Sequence, residues 1–285
     1  MKPKSLAIRR TKNYIINTIS GLSALLGLFF LVWIIYEVVA RGLDAFNWDL
    51  ITELPKPPGS EGGGFANAIV GTFVITGLAA AFAVPIGILT GIFLSEFGKD
   101  SKFANSVRFA ITILLGTPSI IVGVFAYTFL VIPWWFLPGQ LRGVAAVLAL
   151  FVIMLPVVAR TTEDMLSLVP NALREAALAL GMPKWRMTFS VIFRAARSGL
   201  VTGMLLAIAR VSGETAPLLF TAGDSAFWPS GPSSSIANMT VKIYYYSTMP
   251  YDYSNKLAWA ASLLITIGVL SVNIFSRLLF SRGKK

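Results

Sequence analysis

The sequence predicts an all-α membrane protein of six transmembrane helices, and three observations lead there. Hydrophobic residues make up 55% of the chain and charged ones 13%, about half the charged share usual in soluble domains. Runs of about 20 apolar residues recur along it, each long enough to cross a hydrocarbon core of about 30 Å. The Lys and Arg residues gather in alternate connections, the pattern left when one side of a membrane retains positive charge.

Hydropathy places the spans at roughly 15 to 39, 66 to 95, 107 to 132, 143 to 159, 198 to 221 and 257 to 279. The first follows a basic leader (Lys2, Lys4, Arg9, Arg10, Lys12) like that of a signal peptide. Its apolar stretch outruns the roughly 7 to 15 residues of a cleavable segment, so it reads as a retained anchor. Six spans leave both termini on one side. Of the 24 Lys and Arg residues, 18 fall in the N-terminal tail, residues 96–108, residues 160–197 and the C-terminal tail. Arg41, Lys56, Arg142, Lys242 and Lys256 occupy the opposite loops, and Arg210 lies inside a span. Both termini are therefore expected in the cytoplasm. The net charge of +11 is a topology signal, which argues against a nucleic-acid partner.

Function classes drop out with missing residue types. The chain has no Cys and no His, so thiolate or imidazole metal sites and imidazole bases are excluded. No catalytic residue, metal site or chain-bound cofactor is expected. No G-x-x-x-x-G-K-[ST] occurs, because Gly98-Lys99 is followed by Asp100 and lacks the upstream Gly. Two opposite-side segments are long and polar: residues 41–65 with PKPPGSEGGG, and residues 222–256 with WPSGPSSS and the aromatic run Tyr244-Tyr245-Tyr246. They read either as loops with an interfacial aromatic belt or as a surface that receives a partner or solute.

The fifth span contains ARVSGETAPLLF, residues 209–220, with Arg210 and Glu214 four residues apart. A charge at the bilayer centre costs about 2.5 to 3.5 kcal/mol on insertion scales. Arg210 follows Arg197 by 13 residues, roughly 20 Å of helical rise, which sets it near the midplane. One reading is an i,i+4 ion pair that neutralises itself. Against it, Pro217 removes the hydrogen bond to the Gly213 carbonyl, so the backbone at Ser212, Gly213 and Glu214 is expected to kink or unwind. Irregular backbone at that depth is tolerated where it is buried in protein or lines a water-filled cavity. Gly116-Thr117-Pro118-Ser119 breaks the third span similarly, and reads either as a proline kink or as the second half of a transport site. In the second case both breaks line one pathway. A guanidinium fork suits an oxyanion, Ser212, Thr215, Thr117 and Ser119 add neutral donors, and Glu214 can accept the proton of a protonated oxyanion.

Between the fourth and fifth spans, Pro170 and Asn171 can open a helix that Gly181 and Pro183 close. Leu173, Ala176, Ala177 and Leu180 recur at helical spacing, a small apolar face suited either to lipid or, because it is built from Ala, to close packing on protein. Glu175, Ala176, Ala177, three residues and then Gly181 resemble the EAA loop of ABC-importer permeases. GGGFANAIVGT (62–72), LLGTPSIIVGVFAY (114–127) and SGETAPLLFTA (212–222) are most similar to phosphate-importer permeases of the PstA type, and the resemblance runs from about Phe65 to the C-terminus. Where that family continues with Ile-x-Leu-Pro, this chain has Val191, Ile192, Phe193 and Arg194.

The resemblance implies a type I ABC importer permease fold with a cytoplasmic coupling helix, in a bacterial or archaeal inner membrane. It implies residues 1–65 as tail, first helix and outer loop, and 66–280 as the permease domain with its EAA loop at about 161–197. The chain is then not an enzyme but a subunit that forms the inorganic phosphate path with a second, homologous permease. ATP and Mg belong to a dimer of ATP-binding subunits, docked through Leu173, Glu175, Ala176, Ala177, Leu180 and Gly181, and an extracytoplasmic phosphate-binding protein delivers the solute. Competing readings are a permease for another oxyanion or solute, an ion channel, and an intramembrane enzyme. A voltage sensor needs several Arg in one helix where this span has one, and no span holds the Lys or paired Asp that an enzyme without His or Cys would need.

Overall fold

A computed structural model of the chain describes residues 6–57, 59–98, 101–132, 141–231 and 233–281. Lys2, Lys4, Lys99, Arg282, Lys284 and Lys285, which entered the topology count, lie outside the described residues. The helices are α1 (Leu6–Asp44), α2 (Asp49–Thr52), α3 (Ala66–Ile92), α4 (Lys102–Gly116), α5 (Ser119–Leu130) and α6 (Arg142–Ser167). They continue with α7 (Asn171–Ala179), α8 (Lys184–Met187), α9 (Phe193–Ser212), α10 (Ala216–Thr221), α11 (Met239–Thr248) and α12 (Asp252–Ser281). A π-helical turn, Phe93–Phe97, prolongs α3, and a second, Thr188–Ile192, fuses α8 to α9. Among the described residues, five of these helical stretches are long and apolar enough to cross a membrane, and a sixth crossing results if α4 and α5 count together.

The six-span expectation therefore stands, with three differences in detail. The third span is not a kinked helix: α4 and α5 meet at 102° across Thr117 and Pro118. The segment from 160 to 197 is mostly not a loop, because α6 runs on to Ser167 and helix resumes at Lys184. Hydropathy reports only the lipid-crossing part of a helix, whereas backbone hydrogen bonding continues past the headgroups wherever no Gly or Pro stops it. The segment 222–256 hides α11, which Asn238 caps by accepting the Thr240 N–H at 2.9 Å. No turn follows the second π-helical segment either. Helix passes straight through Arg194, which keeps the backbone N–H that a proline would lack.

The core is the α3–α6 pair. Ile75, Ala79 and Ala83 of α3 face Ala146, Leu150, Met154 and Val158 of α6. Small residues bring the axes close, as expected where lipid offers no hydrophobic drive and association depends on packing. A methyl at Gly91 would come within 2.5 Å of Thr162 Cβ, and one at Gly87 within 2.8 Å of Val158 Cβ. α1 leans on α12 near its own C-terminal end, where Gly42 abuts Leu263 and Arg41 stacks over Trp259 at 5.1 Å. Most of its other described apolar side chains, Leu22, Phe29 and Trp33 among them, are exposed on the single chain.

Gly91→Ala should destabilise the purified chain by about 1 to 3 kcal/mol through overpacking of α3 on α6. Gly77→Ala, where a methyl meets nothing within 4 Å, should be neutral or stabilising by up to about 1 kcal/mol. Thermal melts of both variants in one detergent check the contrast.

Candidate functional site

The interruption in the fifth span lies where Pro217 places it. α9 stops at Ser212, and Gly213, Glu214 and Thr215 carry the chain into α10, whose second residue is Pro217. Two short backbone bonds close the end of α9, Gly213 N–H to the Arg210 carbonyl at 3.2 Å and Glu214 N–H to the Val211 carbonyl at 3.1 Å. The Glu214 carbonyl, freed by the break, accepts the Thr240 hydroxyl of α11 at 2.8 Å. That bond satisfies a carbonyl that the break leaves without an intrahelical donor.

Arg210 and Glu214 form no ion pair. The turn at Gly213 takes them off a common helical face, which removes the geometry that four-residue spacing supplies in an intact helix. Arg210 is exposed on the chain and Glu214 half-buried, and neither side chain makes a hydrogen bond or ion pair among the described residues. A cavity of about 360 Å³ between α3, α9 and α12 reaches Ala209 and Ser212, but no charged side chain lines it and Arg210 is not among its walls. An anion would find no charged partner there.

The two breaks meet through the helices that follow them. α5 crosses α10 so closely that a methyl at Gly123 would lie 2.4 Å from Pro217 Cα. Thr117 and Ser119 themselves make no side-chain bond to Arg210 or Glu214. The four hydroxyls also differ. Thr117 Oγ1 donates to the Ile113 carbonyl and Ser212 Oγ to the Ala209 carbonyl, both at 2.8 Å. Their protons are engaged by the preceding turn, whereas Ser119 and Thr215 donate to nothing among the described residues.

α7 forms as its sequence requires. Pro170 precedes it with an extended backbone, and it ends in a Schellman motif: Gly181 N–H bonds the Leu178 carbonyl at 2.9 Å and Met182 N–H the Ala177 carbonyl at 3.2 Å. Gly181 sits at φ 76°, a left-handed conformation that costs other residues roughly 1 to 2 kcal/mol. Leu173, Glu175, Ala176, Leu180 and Gly181 are exposed, Leu180 by 79%. Ala177 is not on that face: it is 5% exposed and packs inward with Met187 and Ile192.

Sequence reasoning missed the residue that holds α7. Arg174, one turn before Ala177, is 9% exposed, and its guanidinium bonds Glu96 at 2.7 Å; Glu96 itself is 4% exposed in the π-helical turn after α3. The same group donates to the carbonyls of Leu166, at 2.8 Å, and Val169 at the end of α6. The signal was the i,i+3 pairing of Arg174 with Ala177, together with a lone Glu at the end of an apolar run. Counting Arg174 only as positive charge concealed it. Arg108, counted in the same way, pairs with Glu163 at 2.7 Å and donates to the Leu94 carbonyl.

A helical membrane protein with one span broken at Thr117–Pro118, a second break in the backbone before Pro217 and an amphipathic helix held at its basic end is built as a solute permease can be. The chain belongs to the family of binding-protein-dependent transport system inner membrane components, which matches it over residues 83–285. It is therefore a membrane permease and not an enzyme. A Yersinia pestis protein, phosphate transport system permease protein PstA, is 46% identical over 281 residues, 99% of this chain and 94% of that one. The Haemophilus influenzae protein of the same name is 45% identical over 276 residues, 97% of this chain and 96% of that one. Phosphate transport system permease protein PstA 1 of Mycobacterium tuberculosis is 36% identical over 270 residues, 93% of this chain and 88% of that one. Among solved structures, a chain of a bacterial alginate ABC transporter superposes with a TM-score of 0.65 at 16% identity, covering 99% of both chains. A chain of the inward-facing MetNI methionine ABC transporter gives 0.59 at 20% identity over 78% of this chain and 95% of that one. At those identities the likeness speaks for the fold alone.

Arg174→Ala should cost about 3 to 5 kcal/mol, because it removes the buried guanidinium that balances the Glu96 carboxylate and donates to the Leu166 and Val169 carbonyls. Arg160→Ala removes a half-exposed guanidinium and its two ion pairs, to Asp164 at 3.3 Å and to Glu163 at 3.7 Å, of which Glu163 keeps Arg108, and should cost about 1 kcal/mol or less. Unfolding of the two detergent-purified variants checks the ranking.

Proposed function

We propose that this permease carries inorganic phosphate inward across a bacterial or archaeal inner membrane, with Arg210 as its principal contact. One observation carries the reading: Arg210, in an apolar helix long enough to span a membrane, stands exposed beside an unwound backbone with no side-chain partner among the described residues. Left against lipid it would cost about 2.5 to 3.5 kcal/mol or more. A second, homologous permease chain facing that side would convert the cost into a polar path between the two. The PstA relatives supply the solute, and the chemistry suits it.

Phosphate offers two oxygens to the guanidinium fork. Near neutral pH it also keeps a proton, which Glu214 can accept. Ser119 and Thr215 have hydroxyl protons to donate as they stand, whereas Thr117 and Ser212 must first turn away from their backbone carbonyls. A single Arg attracts the anion without trapping it.

The exposed face of α7 is the surface for a separate ATP-binding subunit, two copies of which hold ATP and Mg. This places the basic end, both termini included, in the cytoplasm and leaves the opposite loops to an extracytoplasmic phosphate-binding protein. Residues 66–280 form the permease domain, and residues 1–65 the tail, anchor helix and outer loop.

Arg210→Gln should leave insertion and complex assembly intact and lower phosphate uptake at least about a hundredfold, as loss of two charge-assisted bonds implies. Uptake of labelled phosphate by reconstituted complexes tests this, and near-normal uptake would overturn the assignment. Gly181→Leu should release the ATP-binding subunit through loss of the left-handed cap; a pull-down that recovers the subunit undiminished would refute the docking surface.

A further inference from the structure

α3 ends in polar joints at both of its extremities, and each joint leads to a part of the proposed transport machinery. At the basic end Glu96 holds Arg174 of α7. At the opposite end Thr72 Oγ1 accepts the N–H of Met239, the first residue of α11, at 2.9 Å. Asn67 Nδ2 donates to the carbonyls of Ser225, at 2.8 Å, and Phe227, at 3.2 Å, in the segment that leaves α10. α11 then reaches the interruption itself, where Thr240 Oγ1 donates to the Glu214 carbonyl at 2.8 Å.

Between the joints the helix is continuous. The stretch Ala66–Phe97 is 32 residues long, about 48 Å at 1.5 Å per residue. Pro85 removes one backbone bond within it, but α6 lies against the flanking turn at Gly87 and Gly91 and splints it. The covalent route from α7 to Arg210 is softer. It crosses the non-helical turn at Gly181, φ 76°, and Pro183 before helix resumes at Lys184. Among the described residues no side-chain hydrogen bond or ion pair joins α7 to α8 or α9.

We propose that α3 is the rod that couples α7 to the interrupted span. A displacement imposed on α7 moves Glu96 and with it α3. The far end of α3 shifts Thr72 and α11, and Thr240 alters the backbone at Glu214, between Arg210 and Pro217. Glu96, Arg174, Thr72 and Thr240 are then positioning residues for transport, none of which touches the solute. The inference rests on the reading of α7 as the surface for the ATP-binding subunit. Contiguity alone does not demonstrate coupling, so the test measures it.

Glu96→Gln, Thr240→Val and the double variant are placed in the complete complex, with ATP-binding subunits and binding protein, in lipid vesicles. Uptake and ATP hydrolysis are measured on the same vesicles at saturating phosphate. Thr240→Val keeps the side-chain shape, removes the donor to Glu214, and leaves α7 untouched. The expected result is retention of the ATP-binding subunit, ATP hydrolysis within about twofold of the unmodified complex, and at least a tenfold fall in phosphate moved per ATP. The double variant should be no worse than the poorer single one, because both changes cut one path. Unchanged phosphate per ATP in Thr240→Val, or effects that multiply in the double variant, would overturn the rod. If Glu96→Gln does not assemble, Thr240→Val decides by itself. Failure of the unmodified chain to retain the ATP-binding subunit would instead overturn the docking reading.

Discussion

Hydrocarbon offers a backbone no hydrogen-bond partners, so a chain that crosses it must close every N–H and C=O within itself. Most of this protein obeys by staying helical. It departs from helix at Thr117–Pro118 and at Gly213–Thr215, and much of the remaining architecture follows from repairing the second departure. The Glu214 carbonyl needs a donor, and Thr240 supplies one. Thr240 is in place because Asn238 caps α11 and Thr72 fixes its first residue. The buried ammonium of Lys242, on the same helix, holds Asp224 beyond α10 at 2.6 Å. α11 thus secures the chain on both sides of α10.

Charge is distributed by the same constraint. Arg174 and Glu96 are buried together and bonded to each other, and Arg174 donates also to backbone carbonyls at the end of α6, which is the condition under which buried ions are tolerated. Arg210 is the opposite case, an exposed guanidinium without a side-chain partner among the described residues, in a helix apolar enough to cross a membrane. The first arrangement binds α7, α3 and α6 into one body. The second marks the side of the chain on which we propose that a second permease and the solute lie.

The two features also divide the labour of the fold. The Gly-mediated contact of α3 with α6, at Gly87 and Gly91, makes a stiff centre that resists independent motion of either helix. The contact of α5 with α10, at Gly123 and Pro217, is between two short pieces whose preceding turns are already open. Motion is easier to accommodate at the second contact than at the first, because short helices bounded by irregular backbone can turn without breaking long hydrogen-bonded ladders.

Much was legible in the sequence because it depends on local or one-dimensional physics. Span length and apolar runs located the crossings, the Pro217 ring located the interruption, and Gly181 with Pro183 located the end of α7. Other features needed the tertiary structure. The separation of Arg210 from Glu214 follows from how the turn at Gly213 is resolved, and four-residue spacing alone had left their pairing open. The inward placement of Ala177 follows from where α7 is pinned, through Arg174, to Glu96 in a distant part of the chain. The sequence by itself determined where helices must run and where they cannot continue, since those are properties of neighbouring backbone atoms. Only the tertiary structure decided which freed groups meet, Glu214 with Thr240 and Arg174 with Glu96, because those pairings join segments that are distant in the chain and close only after the helices pack.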